Sequence, residues 1–108
     1  MEKNVKNALV SAILSALGES VIRIILYGSV ARETQTDESD IDVAVIIKEN
    51  LSENEKNALL NAIVELDLAY DKVFSVIDIK GSDYDSWKEF IPFYKNVSKE
   101  GVVLWKAA

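Results

Sequence analysis

A chain of 108 residues, 49% hydrophobic and 28% charged, has the size of one domain over residues 1–108 with one core, and its composition argues against a disordered chain. It contains no cysteine and no histidine, which excludes disulfides, thiolate centres and the usual zinc ligands; any metal must be held by oxygen, which favours Mg²⁺ or Mn²⁺. The formal net charge of −6 gives no general attraction for long nucleic acid, but is compatible with a small nucleotide carried with Mg²⁺ or with a basic protein partner.

No apolar run approaches the ~20 residues of a membrane span. The first residues, MEKNVKNALVSAILSALG, carry little positive charge and have helical rather than signal-peptide patterning. The expectation is a cytoplasmic protein. Over residues 3–17, Val5, Ala8, Leu9, Ala12, Ile13, Ala16 and Leu17 form one helical stripe, and Gly18 suits the helix end. Residues 21–27, VIRIILY, are a β-branched run of strand length, apolar on nearly every residue and so expected inside a sheet. Gly28 ends this strand, a short helical turn over residues 29–33 is possible, and residues 33–39 read as a loop.

Residues 40–47 form the second strand, with Asp40, Asp42, Ala44 and Ile46 alternating onto one face. Ser52 and Glu55 match a capping box for a helix carrying Leu59, Ala62, Ile63, Leu66, Ala69 and Tyr70 on one stripe. Residues 73–80 are a third strand, in which Phe74, Val76 and Asp78 share a face. Ser82 with Asp85 repeats the capping pattern before a helix expected over about residues 84–90, where Trp87, Phe90 and Ile91 have packing spacing; Pro92 interrupts or kinks its continuation. Residues 101–105 suggest a fourth, edge strand. The order of elements is that of a small α/β layered domain.

The chemistry concentrates between Leu26 and Val45. Gly28 and Ser29 lie at the C-end of a buried strand, where ligands of α/β domains collect. Glycine lets backbone N–H groups approach a phosphate, a helical turn starting there favours an anion, and the Ser29 hydroxyl adds a hydrogen bond. Asp40 and Asp42 project from one strand face ~7 Å apart at their backbones. Their repulsion is relieved by a divalent cation; as an isolated pair they also suit a solvated strand start. The segment between the strands is too short for a full helical crossover, so the strands are expected to be antiparallel neighbours, with Ser29 and the Asp pair on one edge. Asp78 interrupts an apolar strand. If the third strand runs antiparallel to the second, Asp78 reaches the same edge and completes a three-carboxylate site for two metal ions; otherwise it is a solvated strand-end residue. Arg32 is equally suited to neutralising a phosphate or to pairing with Glu33, Asp37 or a site aspartate. Tyr27 lies beside this edge, as a packed strand-end residue or as lining.

At these residues the chain resembles the nucleotidyltransferase superfamily that includes DNA polymerase beta, and most of all its minimal nucleotidyltransferase (MNT) branch. The matching string is Gly28-Ser29-x-Ala31-Arg32 followed by Ser39-Asp40-Ile41-Asp42, with Asp78 as the later carboxylate and a Gly101-Val-Val-Leu ending. Glu33 stands where many members have glycine. The resemblance implies the nucleotidyltransferase fold, α/β (α+β), a small mixed sheet with helices packed on it. It implies that Gly28 and Ser29, with Arg32, hold the triphosphate, that Asp40, Asp42 and Asp78 bind two Mg²⁺ ions, and that NMP passes from ATP or another NTP to a hydroxyl. The chain has no length for an acceptor-binding domain, so the acceptor would come from a partner. In this branch the partner is a HEPN-domain toxin, which the MNT antitoxin neutralises, in some pairs by adding AMP to a tyrosine. Two alternatives stand beside this protein adenylyltransferase: a non-catalytic antitoxin that sequesters its partner, motivated by exposed apolar candidates such as Trp105, and transfer to a small-molecule hydroxyl, which would need a homo-oligomer or partner.

Overall fold

In the computed structural model, residues 1–31 and 40–108 are described, the side chain of Ser29 excepted. A four-stranded sheet has β1 (Val21–Tyr27) and β2 (Ile41–Ile47) at its centre, with β3 (Phe74–Lys80) and β4 (Val102–Lys106) on its edges, in the order β3-β2-β1-β4. The helices are α1 (Lys3–Leu17), α2 (Gly28–Ala31), α3 (Glu53–Tyr70), α4 (Gly81–Trp87) and α5 (Pro92–Glu100). No helix among the described residues is long and apolar enough to cross a membrane.

Side-chain alternation divides the core between the two faces of the sheet. Ile24, Leu26, Val43, Val45 and Ile47 face α1 and α3, where they meet Leu9, Ile13, Leu59 and Ile63. Ile25, Ala44 and Ile46 face the other way, into a smaller cluster with Ile79, Tyr84 and Val97 from β3, α4 and α5. The all-apolar sequence of β1 reflects its central place: it pairs with β2 on one side and β4 on the other, both antiparallel. β4 is an edge strand, as its short length suggests.

The helix starts follow local chemistry unevenly. Ser52 Oγ accepts from the Glu55 backbone N–H at 3.1 Å, and the Ser52 N–H donates to Glu55 Oε1 at 3.1 Å, so the capping box of α3 forms. Ser20 Oγ also donates to Glu55 Oε2 at 2.9 Å, tying α3 to the turn before β1. The Ser82–Asp85 pattern does not form: α4 starts at Gly81, and no side chain caps it. Pro92 opens α5 instead of kinking α4, using its fixed φ and missing N–H at the first helical turn. Residues 92–100 carry a helix the sequence reading did not assign. Trp87 and Phe90 are half to three-quarters exposed and meet edge to face at 6.4 Å, so their spacing serves one another more than the core. Trp105 packs partly against the α1/α3 core, and the exposed apolar residues of β4 are Val102 and Val103.

The main difference concerns β3, which runs parallel to β2. The 18-residue helix α3 joins the two strands, and a strand–helix–strand connection carries the chain from the C-end of β2 back to the end where β2 began. Asp67 of α3 then anchors the new strand, its Oδ1 accepting from the Phe74 N–H at 2.9 Å.

Removing the Ser52 hydroxyl (Ser52→Ala) should cost about 1 kcal/mol of stability, read from the urea midpoint. Hydrogen bonds from the Ser52 backbone and from Ser20 hold the Glu55 carboxyl below its ordinary value of 4.5. A carboxyl depressed in the folded state stabilises the fold above its unfolded value and loses that contribution as pH falls through the folded one. Glu55→Gln should therefore flatten the acid side of the stability profile below pH 4.5, measured by urea unfolding at neutral and acid pH.

Candidate functional site

The site lies at the sheet edge where β1 ends and β2 begins. Antiparallel pairing sets Tyr27 opposite Asp42. Directly after Tyr27 the backbone turns sharply at Gly28, which has φ 75° and begins the short helix α2. A β-carbon at Gly28 would collide with the Asp42 carboxylate, with the Asp42 Cγ only 3.1 Å away. Glycine is required twice over, for the positive φ and for the close approach of backbone to carboxylate.

Asp40 precedes β2 and is exposed; Asp42, inside it, is half-buried. The backbone N–H of Ile41 donates to the Val73 carbonyl at 2.8 Å, beginning the parallel ladder with β3. In that ladder Asp42 stands opposite Ser75 and Val45 opposite Asp78. Parallel partners in register point to the same face. Ser75 therefore shares the face of Asp42, and its hydroxyl donates to Asp40 Oδ2 at 3.3 Å. Asp78 shares the opposite face and lies three residues, ~10 Å, further along the strand.

The expected convergence of Asp40, Asp42 and Asp78 is thus not formed. The antiparallel arrangement it required is replaced by the parallel one that α3 imposes. No three acidic side chains gather in a metal-binding group among the described residues. Asp40 and Asp42 remain suited to one divalent cation, since Mg²⁺ is commonly held by one or two carboxylates together with substrate phosphates. A two-ion site built on three carboxylates does not fit the described residues. Ser29 lies in α2, at the same edge as the carboxylates. Arg32, with Glu33, Asp37, Glu38 and Ser39, lies outside the described residues.

Two aromatic rings border the edge. Tyr27 meets Phe93 of α5 edge to face at 5.4 Å, and Phe93 meets Tyr94 at 5.9 Å. Phe93 is 39% exposed, so this wall presents a partly open ring next to Tyr27. Burial and, second, the charge of Asp42 push the Tyr27 phenol above its ordinary value. Sequence reasoning missed Ser75 and Phe93. Ser75 was legible in principle, since a helix long enough for a crossover separates the second and third strands and predicts parallel pairing; Phe93 had no such signal.

The sequence matches the family described as Polymerase beta, Nucleotidyltransferase over residues 10–107. Two proteins of Methanocaldococcus jannaschii are similar. "Putative protein adenylyltransferase MJ0604" is 31% identical over 104 residues, covering 96% of this chain and 97% of that protein. "Putative protein adenylyltransferase MJ0141" is 35% identical over 68 residues, 63% of this chain and 69% of that protein. The fold is similar to that of a chain in a toxin–antitoxin crystal structure with AMP-PNP, with a TM-score of 0.67 and 24% identity over 94% of this chain and 73% of that one. It is also similar to a chain in a complex of tri-AMPylated Shewanella oneidensis HEPN toxin with MNT antitoxin, with a TM-score of 0.62 and 20% identity over 99% of this chain and 74% of that one.

Gly28→Ala should cost about 1–2 kcal/mol from its left-handed backbone alone, with more from the displaced carboxylate, read as a lower urea midpoint. Asp42→Asn should bring the Tyr27 phenol part of the way back towards 10.0. The return is only partial because burial, the larger cause, remains. Tyrosinate absorbance titrations, assigned with Tyr27→Phe, would measure it.

Proposed function

The chain belongs to the polymerase beta nucleotidyltransferase family, and on that premise we propose that it transfers AMP from ATP to a hydroxyl of a partner protein, as the antitoxin of a HEPN/MNT pair. The observation that carries the chemistry is the meeting of Gly28 with Asp42 at one sheet edge, beside Asp40. The full-length likeness to a relative named a protein adenylyltransferase supports a protein acceptor. The fold's likeness to chains of toxin–antitoxin complexes, one holding AMP-PNP and one an AMPylated HEPN toxin, supports the donor and the partner.

In this reading Gly28 and Ser29 hold the triphosphate through backbone N–H groups at the turn into α2, while the Asp42 carboxylate fills the space a Gly28 side chain would need. Arg32 follows them in sequence and is assigned to the phosphates as well. Asp40 and Asp42 would hold the divalent cation, which would offset the negative charge on the phosphoryl oxygens. The acceptor oxygen forms a bond to the α-phosphorus, the bond to the β-phosphate oxygen breaks, and pyrophosphate leaves. The proton of the acceptor hydroxyl passes to an oxygen of the carboxylate pair. The half-exposed ring of Phe93 borders the approach to this edge. Asp78 has no part, because it faces the other side of the sheet.

A second reading, a sequestering antitoxin without transfer, is favoured by Asp78 facing away from the edge that carries Asp40 and Asp42. The two readings separate in one experiment. With labelled ATP, Mg²⁺ and the product of the adjacent gene, the native chain should label its partner. Asp40→Ala/Asp42→Ala should lower labelling by at least 100-fold and lose neutralisation. A double variant that still neutralises the partner, with no labelling by the native chain, would establish sequestration instead.

A further inference from the structure

Three side-chain positions face the same way at the site edge: 40 and 42 at the start of β2, and 75 on the neighbouring β3. The first two are aspartates and the third is a serine. Two ions held roughly 3.5–4 Å apart repel one another and need bridging anionic ligands. Two carboxylates balance the charge of one divalent cation, and a neutral hydroxyl adds nothing to that balance. We infer that Ser75 is a positioning residue in the place of a third carboxylate, and that the described residues of this edge hold one divalent cation, on Asp40 and Asp42. This rests on the nucleotidyl-transfer reading of the same edge.

The hydrogen bond from Ser75 gives the residue a definite role. Asp40 is exposed and lies just outside the strand, so its side chain has rotamers to lose when a cation binds. The Ser75 hydroxyl, donating to Oδ2 at 3.3 Å, restrains that carboxylate beforehand. Partners that orient a ligand in this way are commonly worth 10-fold or more in metal affinity. A carboxylate at 75 would instead add a third negative charge to a face where Asp40 and Asp42 already repel one another. The serine keeps the edge tolerable without a metal and lowers its capacity for one. Among the described residues this face offers a second ion no further carboxylate, so one arriving with the nucleotide would be held mainly by phosphate oxygens.

The test is a Mn²⁺ titration of the full chain followed by electron paramagnetic resonance, counted against Asp40→Ala/Asp42→Ala to remove scattered surface binding. Thermal unfolding checks that each variant is folded. The native chain should hold one ion that the double variant lacks. Ser75→Ala should bind that ion roughly 10-fold more weakly, and Ser75→Thr, which restores the hydroxyl, should recover the native affinity. Ser75→Asp should add a second ion. Two ions on the native chain, or equal affinity in the native, Ala and Thr proteins, would overturn the role of Ser75 while leaving nucleotidyl transfer standing if labelling of the partner persists. Mn²⁺ binding unchanged by the double variant would overturn both.

Discussion

The close approach of the Gly28 backbone to the Asp42 carboxylate governs the organisation of this edge. It brings a segment that can admit a phosphate into contact with a group that can hold a cation, and the sheet, not the loop, keeps them together. Tyr27 and Asp42 are register partners in an antiparallel ladder, so a shift of one residue in either strand would turn the carboxylate to the opposite face. The register is in turn secured by the core. Ile24 and Leu26 on β1, with Val43, Val45 and Ile47 on β2, are all buried against α1 and α3. Slippage would expose them, at about 1.5–3 kcal/mol for each large side chain.

The third strand is governed by a different constraint. Helix α3 buries Leu59, Ile63 and Leu66 against the sheet and returns the chain to the end from which β2 began. Parallel pairing follows, and with it the choice of which β3 residue reaches the site. Position 75 arrives opposite Asp42; position 78 arrives on the far face. An acidic residue in the right strand but at the wrong parity is therefore chemically unrelated to the carboxylate pair.

Among the described residues the two faces of the sheet are unequally covered. The long helices α1 and α3 cover one face. The shorter α4 and α5 cover the other, where the cluster around Ala44, Ile46 and Val97 is small. Past that cluster, towards the strand ends, the covering gives way to Tyr27 and Phe93, whose rings are only partly buried.

The residues Gly28, Asp40 and Asp42 were legible in sequence because their spacing is local: a strand ends, too few residues follow for a helical crossover, and the next strand begins. That alone determines antiparallel neighbours and one shared edge, and hydrophobic periodicity determines α1, α3 and the four strands. The capping box of Ser52 and Glu55 was legible for the same reason, its partners being three residues apart. What only the tertiary structure decided is long-range. The direction and register of β3 exchange Asp78 for Ser75, and the helix begun by Pro92 carries Phe93 to the ring of Tyr27. A residue's type states what chemistry it can perform, but strand parity and the packing of a distant helix decide which residues meet.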